Sequence, residues 1–549
     1  HARSRREQRR LELEGAFVAS DAPVTTSTMA AVVIVALAAV VTAATVARAQ
    51  KFDWNPLRGD RIVTATAPAG TFRGIENDEF RYRLWAGIPY VQPVNGFNRW
   101  GYPKRTEPMT SPFNATKFGA SCPQDCQLPI GFCPDVIDED CLFLDVWTPH
   151  GAAGRNGDVE RNERLASDEV KSAEHKYPVF FFIHGGAFNQ GSGNTPAYYA
   201  DFLASTKNVC VVSINYRLGA LGWLGTVDGR IPSNLGLWDQ RSAMGWVREN
   251  IAAFGCNATN VALVGESAGA MSIVQHLMWP GMTKTNAPFQ KAIIQSAVLT
   301  LPYKDERQTD KYAVKLAKKL GCGGTDVACM RRASYGDIVK YQAHATPLIP
   351  KSLYEFVLDY TPIIDNHIVK DQPLHQLTNG GMKIDIPLII GSNEDEGVMF
   401  VYRAFGYLPY TLYRTILLAL FPSSGKLTDL YPSKLFADAR PSMSLLIRDF
   451  LFRCPSYYVA NKLHRTFENN IYMYNYNHSL SFKDAWPESF AFCRDKACHG
   501  AELILEFNAI RHEPKDFPPT PEERKLISVL STAFTRFVAT ASPNIGVPV

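Results

Sequence analysis

A serine flanked by glycines, between a strand-like and a helix-like segment, is the feature that most constrains the fold of this chain. The apolar run 261–264 leads into Gly265-Glu266-Ser267-Ala268-Gly269, and the helix-like stretch 270–277 follows. In so tight a turn the serine takes a strained backbone conformation that exposes its hydroxyl, and the glycines let strand and helix approach closely. The pattern predicts that Ser267 is a nucleophile; the alternative is a helix start that merely contains glycines.

The apolar segments of the chain predict an α/β fold. Runs without polar alternation recur at 142–147, 179–183, 209–214, 261–264, 386–390 and 471–476. Helical patterns separate several of them, most clearly at 237–254, where apolar residues recur at spacings of three, four or seven. Such an order is typical of a large, mostly parallel central sheet with helices on both faces. We expect a single α/β domain over 50–549, with the charged segment 151–176 as a surface insertion.

The first 49 residues differ in composition from the rest of the chain. A basic stretch, 3–10, precedes an apolar run at 29–46, and the small residues of Ala47-Arg48-Ala49 follow. These features predict a secretory signal peptide that is cleaved before Gln50, with Met29 as a possible true start. The alternative is an uncleaved signal anchor, because the run is nearly long enough to span a bilayer. We therefore expect a secreted protein, with a membrane association only if this segment is retained.

The basic and acidic residues of the chain are nearly balanced in number. With 57 basic and 53 acidic residues the formal net charge is +4, which does not indicate a nucleic-acid partner. Nothing in the composition indicates an oligomeric state.

Eleven cysteines in a chain with a signal peptide indicate disulfides rather than metal ligands, and no Cys/His cluster has zinc spacing. Two pairs enclose short loops, Cys322 with Cys329 and Cys493 with Cys498. A third group allows three pairings: Cys122, Cys126, Cys133 and Cys141. Cys210 lies in an apolar run and is predicted to be a buried thiol. An odd total leaves at least one cysteine unpaired or joined to another chain.

Three glycosylation sequons agree with the same compartment. They begin at Asn114, Asn257 and Asn477.

A second glycine motif follows the predicted strand 179–183. In His184-Gly185-Gly186 two glycines leave backbone N–H groups uncovered by side chains. A tetrahedral acyl intermediate carries negative charge on oxygen, which such N–H groups stabilise together with the amide of the residue after the nucleophile. We predict an oxyanion hole formed by Gly185, Gly186 and Ala268; the alternative is a turn that needs glycine only for its backbone angles.

A serine nucleophile also needs a base and an acid, which follow it in the order acid, then histidine, on this kind of sheet. Three acids, Glu394, Asp395 and Glu396, follow the strand 386–390, and the residues alone do not choose among them. The histidines beyond the last strand are His478, His499 and His512. His499 is the best candidate because it directly follows a loop that a disulfide between Cys493 and Cys498 would stiffen.

These motifs together resemble the type-B carboxylesterase and cholinesterase family of α/β-hydrolases over roughly 62–544. The matching pieces are Gly87-Ile88-Pro89-Tyr90, Glu139-Asp140-Cys141-Leu142, His184-Gly185-Gly186, Asn215-Tyr216-Arg217-Leu218-Gly219, the serine pentapeptide, Asp395-Glu396-Gly397 and His499-Gly500-Ala501-Glu502. The resemblance selects Glu396 as the acid and His499 as the base. It also implies disulfides from Cys122 to Cys141 and from Cys322 to Cys329.

The resemblance implies a serine hydrolase that cleaves small-molecule carboxylic esters through an acyl-enzyme, with no metal and no organic cofactor. The loop between Cys122 and Cys141 lacks the choline-binding tryptophan of cholinesterases, which disfavours choline esters as dedicated substrates. Two alternatives remain at this stage. One is a lipase or amidase, and the other is a non-catalytic adhesion or interaction protein on the same fold.

Overall fold

A computed structural model describes residues 55–544 except 130, 152–175, 343–357, 422–425, 436, 483–484 and 513–517. The predicted signal peptide, with Met29 and the cleavage before Gln50, lies outside the described residues, as does nearly all of the predicted insertion 151–176. Within the described residues, no helix combines the length and the apolar character needed to cross a membrane.

Thirteen strands are found in the described part of the chain, eleven of them in one sheet. They are β1 (Arg61–Ala67), β2 (Gly70–Asn77), β3 (Tyr82–Pro89), β4 (Phe113–Asn114), β5 (Phe143–Pro149), β6 (Tyr177–Ile183), β7 (Cys210–Ile214), β8 (Cys256–Glu266), β9 (Lys291–Gln295), β10 (Lys304–Asp305), β11 (Ile363–Ile364), β12 (Leu388–Asn393) and β13 (Ile471–Tyr476). The large sheet has the order β1-β2-β3-β5-β7-β6-β8-β9-β12-β13, and β4 pairs with β2.

The sheet is antiparallel from β1 to β7 and parallel from β7 to β13 in that order. The prediction of a mostly parallel central sheet is confirmed. The six apolar runs read from the sequence correspond to β5, β6, β7, β8, β12 and β13. Because parallel strands end at the same edge of a sheet, the loops after β6, β8, β9, β12 and β13 meet there.

Helices cover both faces of the sheet. They are α1 (Asp201–Lys207), α2 (Gly219–Gly222), α3 (Leu235–Asn250), α4 (Ala268–Leu277), α5 (Glu306–Lys319), α6 (Val327–Arg332), α7 (Tyr335–Gln342), α8 (Pro373–Thr378), α9 (Glu396–Ala404), α10 (Tyr410–Leu420), α11 (Leu427–Leu430), α12 (Arg440–Ile447), α13 (Cys454–His464), α14 (Ala501–Phe507) and α15 (Pro521–Thr540). The helix predicted at 237–254 is α3 followed by a 3-10 turn at Ile251–Phe254.

Strand β6 shows how the two core layers form. Successive side chains of a strand point to opposite faces, and all those from Val179 to Ile183 are buried. Phe181 and Ile183 pack into a core with α3 and α4, whereas Phe180 and Phe182 pack into a second core with α14 and α15. Burial on both faces explains why the strand has no polar alternation.

Ten of the eleven cysteines form five disulfides. The pairs are Cys122–Cys141, Cys126–Cys133, Cys210–Cys256, Cys322–Cys329 and Cys493–Cys498. The prediction of Cys210 as a buried thiol is wrong. Cys210 and Cys256 begin β7 and β8, the two strands that flank β6, so their side chains meet at that end of the sheet although the residues are 46 positions apart.

We expect the double substitution Cys210→Ala with Cys256→Ala to lower the free energy of unfolding by about 4 kcal/mol. The bridge closes a loop with a sequence separation of 46, and the entropy that a disulfide removes from the unfolded chain grows with loop length. Guanidinium unfolding of the purified proteins measures the loss.

The matched control is Cys322→Ala with Cys329→Ala, which opens a loop with a sequence separation of 7. Its expected loss is smaller, about 2 kcal/mol. Equal losses for the two double variants would contradict the loop-length argument.

Candidate active site

Ser267 lies between β8 and α4 in a strained backbone conformation, with φ 54° and ψ −119°. A side chain on either flanking glycine would collide with backbone. A Cβ on Gly269 would lie 2.0 Å from the carbonyl oxygen of Ile183, and one on Gly265 would lie 2.8 Å from the carbonyl carbon of Gly269. The backbone N–H of Ser267 donates to the carbonyl of Gln295 at 2.9 Å. The turn is thus held in the geometry that exposes a serine hydroxyl.

The loop after β6 lies directly against this serine. A Cβ on Gly185 would be 3.1 Å from Cβ of Ser267 and 2.5 Å from Oε2 of Glu266. Gly186 has φ 105°, and a Cβ there would be 2.1 Å from the carbonyl oxygen of Gln190. Among the described residues, the N–H groups of Gly185, Gly186 and Ala268 have no hydrogen-bond acceptor. They are therefore available to an oxygen atom bound beside Ser267.

Glu396 is fully buried at the first position of α9 and accepts three hydrogen bonds. Its Oε1 accepts from Oγ of Ser296 at 2.5 Å and from the N–H of Asn393 at 2.7 Å. Its Oε2 contacts Nδ1 of His499 at 2.5 Å. Three donors on one carboxylate fix its orientation and satisfy its charge.

The two neighbouring acids have other partners. Glu394 forms ion pairs with Arg448 at 2.7 Å and with Arg453 at 3.1 Å. Asp395 accepts from the N–H of Ala497 at 3.0 Å. Of the three acids that the residues alone left open, only Glu396 contacts the histidine.

His499 follows the Cys493–Cys498 bridge and precedes α14. Its side chain is 9% exposed. Its Nε2 lies 3.1 Å from Oε1 of Glu266, the residue before the serine, and neither atom forms a hydrogen bond in the structure. The other candidate His478 contacts Glu523 instead, at 3.3 Å, and the side chain of His512 lies outside the described part of the chain.

Buried carboxyl groups surround His499 and change its pKa. Burial by itself lowers the pKa of His499, but the charges of Glu266 and Glu396 raise it, and the net direction is upward. Burial also raises the pKa of Glu266. The charge of His499 acts to lower that pKa, and the charge of Glu502 acts to raise it further. The pKa of Glu506 is raised to about 8, chiefly by burial. The imidazole therefore lies in a field that favours its protonated form.

Several supporting residues were not found from the sequence. Ser296 and Asn393 donate to Glu396, and Gln295 both accepts from the Ser267 amide and donates to Glu506 at 2.8 Å. Gln295 ends the short strand β9 and Ser296 directly follows it, and the three apolar residues 292–294 are the sequence signal for both.

One group of described residues away from this site has metal-ligand residue types. Glu76, Asp78 and His150 place one ligand atom each within 4.8 Å of one another. Both carboxylates already pair with the guanidinium of Arg61, which contacts Glu76 at 3.0 Å and Asp78 at 2.8 Å. We assign no metal to this group.

Comparisons with known proteins identify the family to which the chain belongs. The model of the carboxylesterase family matches residues 60–548. Two curated relatives come from Dictyostelium discoideum. One is named "Crystal protein" and is 33% identical over 506 residues, which are 91% of this chain and 86% of that protein. The other is named "cAMP-regulated D2 protein" and is 34% identical over 484 residues, 87% of this chain and 84% of its own.

Among solved structures, the chain is similar to two structures of a PNB esterase. The TM-scores are 0.72 and 0.70, at 27% and 28% identity, and each match covers 88% of this chain and 92% of the other.

We expect Glu266→Gln to lower the pKa of His499. The carboxylate of Glu266 stabilises the imidazolium, and its loss removes that stabilisation, so deprotonation moves to lower pH. NMR titration of protein with ¹³C-labelled histidine measures the shift. Glu506→Gln is the control, because that carboxyl is also buried but its hydrogen bond goes to Gln295. An unchanged or higher pKa in Glu266→Gln would contradict the prediction.

Proposed function

The chain belongs to the carboxylesterase family and is a carboxylic ester hydrolase, and we propose that it cleaves its substrate with Ser267, His499 and Glu396 as a catalytic triad. The observation that carries this proposal is the contact between the buried Glu396 carboxylate and Nδ1 of His499 at 2.5 Å. It fixes the imidazole with Nε2 as the free nitrogen. That nitrogen lies 3.1 Å from Glu266, the residue next to the proposed nucleophile.

The proposed reaction starts with acylation of the serine. Nε2 of His499 accepts the proton of the Ser267 hydroxyl as Oγ attacks the ester carbonyl carbon. The carbonyl oxygen becomes an oxyanion that accepts hydrogen bonds from the amides of Gly185, Gly186 and Ala268. When the intermediate collapses, the imidazolium gives its proton to the departing alkoxide, which leaves as an alcohol.

Deacylation repeats these steps with water. His499 takes a proton from water as the water oxygen attacks the acyl-enzyme carbonyl, and returns that proton to Oγ of Ser267 as the acid leaves. Glu396 keeps the imidazole oriented through Nδ1 and stabilises its cationic form in both halves. Glu266 adds a second negative charge beside the imidazolium, which stabilises that cation and disfavours anionic substrates. The steps balance without a metal or an organic cofactor.

We further propose one α/β-hydrolase domain over 50–549, secreted after cleavage before Gln50. Five disulfides support an oxidising compartment. Of the three sequon asparagines, Asn114 and Asn477 are exposed and Asn257 is half-buried. The first two are therefore the better glycan acceptors.

We expect Ser267→Ala to reduce turnover of p-nitrophenyl esters by at least about a thousandfold, because no other group can form the acyl-enzyme. Ser272→Ala is the matched control: this serine lies on α4, and its hydroxyl donates to the carbonyl of Ala268 at 3.0 Å. It should keep most of the activity. Equal rates for wild type and Ser267→Ala would refute the triad and favour a non-catalytic adhesion or interaction role.

The substrate class follows from the same assay with a graded series of substrates. Rates that peak with short acyl chains support a carboxylesterase, whereas a preference for long chains supports a lipase and turnover of p-nitroanilides supports an amidase. A choline ester in the series tests the consequence of the missing tryptophan.

We expect the protein secreted by a eukaryotic host to begin near Gln50 and to carry glycans at Asn114 and Asn477. Edman sequencing identifies the first residue, and glycosidase treatment with peptide mass spectrometry identifies the modified asparagines. Asn→Gln at each exposed site should remove one glycan mass. A mature protein that retains 30–46 would show a signal anchor instead.

A further inference from the structure

Two phenylalanine rings pack against the imidazole of His499. The ring centroids of Phe400 and Phe452 each lie 5.2 Å from that of His499, at interplanar angles of 58° and 56°. The two phenyl rings stack on each other at 5.8 Å. Phe452 is fully buried and Phe400 is half-buried. The hydrogen bond to Glu396 thus fixes one nitrogen of the imidazole, and the aromatic pair fixes the plane of its ring.

Phe452 comes from an unusual turn of backbone. Residues Arg448–Arg453 form a π-helical turn between α12 and α13, and such turns are rare and occur frequently at functional sites. Within it, Phe450 packs on Phe421 at 5.0 Å, while Phe452 packs on the histidine. The two phenylalanines of this turn therefore pack on different partners.

Ion pairs fasten this turn to the segment that bears the proposed catalytic acid. Arg448 and Arg453, at the two ends of the turn, both contact Glu394, at 2.7 and 3.1 Å. Glu394 stands two residues before Glu396. The partner of Nδ1 and the ring that packs against the imidazole are consequently held in a fixed relation to each other.

We propose that Phe452 is a positioning residue that holds the imidazole of His499 in the orientation needed for proton transfer. The inference rests on the proposed triad, since it assigns a role through the proposed base. A single hydrogen bond at Nδ1 does not by itself fix the tilt of the ring, and a change of tilt moves Nε2, the nitrogen that accepts the serine proton in the proposed triad. Aromatic contacts at these distances and angles are favourable and oppose that change.

The same contact persists after proton transfer. When His499 becomes an imidazolium, the phenyl ring remains within the range at which aromatic groups attract cations. Phe452 therefore supports the orientation of the base in both of its protonation states, which packing of an aliphatic side chain would do less well.

The test compares Phe452→Ala, Phe452→Leu and Phe450→Ala with wild type. In Phe452→Ala we expect kcat for a p-nitrophenyl ester to fall about tenfold while KM stays within about twofold, since small displacements of a catalytic group lower the rate more than binding. Phe452→Leu restores volume without the ring and should recover part of kcat. Phe450→Ala removes a ring of the same turn that packs on Phe421, and should stay near wild type.

A second measurement does not depend on activity. The proton on Nδ1 of His499, shared with Glu396, gives a downfield NMR resonance that we expect to broaden or vanish in Phe452→Ala and to persist in Phe450→Ala. An unchanged kcat and resonance in Phe452→Ala would overturn the proposal, as would an equal loss in Phe450→Ala. If Phe452→Ala does not fold, Phe452→Leu with its thermal unfolding curve carries the comparison. If wild type and Ser267→Ala hydrolyse equally, the triad fails, while the resonance still decides the role of Phe452.

Discussion

The buried carboxylate of Glu396 is the constraint on which the rest of the site depends. Removing a carboxylate from water costs several kcal/mol unless hydrogen bonds and an opposite charge compensate. Compensation here comes from Ser296 after β9, Asn393 at the end of β12 and His499 in the loop after β13. These three donors meet because β9, β12 and β13 are neighbours in the sheet and end at the same edge. The strand order therefore determines which donors compensate the charge of Glu396.

Local sequence was enough to predict the two glycine turns of the candidate site, each of which follows one strand. The glycines around Ser267 and those at 185 and 186 are needed because a Cβ there would lie 3 Å or less from backbone atoms. The glycines that meet this requirement are neighbours in the sequence, so the motif can be recognised locally. The acid of the proposed triad could not be chosen in this way. Three carboxylates stand in a row, and which of them contacts the histidine depends on partners from distant parts of the chain. Arg448 and Arg453 form ion pairs with Glu394. In the sequence, only the family resemblance selected Glu396.

Contacts between distant segments also explain what was mistaken or missed. Cys210 has apolar neighbours on both sides, which is the usual setting of a buried thiol, and its partner Cys256 begins another strand beyond β6. Gln295 ends a strand of five residues and Ser296 directly follows it, and that strand is too short to be distinguished by its pattern. The aromatic contacts of His499 come from two helical segments that no spacing in the sequence connects to it.

Glu396 and Phe400 are four residues apart on α9, and therefore lie on the same face of one helix. The acid that orients the imidazole and a ring that packs against it consequently belong to one rigid body. A substrate group bulky enough to displace Phe400 would act on the helix that also carries Glu396. Bulk in the substrate would then be penalised in the rate of the chemical step and not only in affinity, so two esters that bind equally well could be turned over at very different speeds.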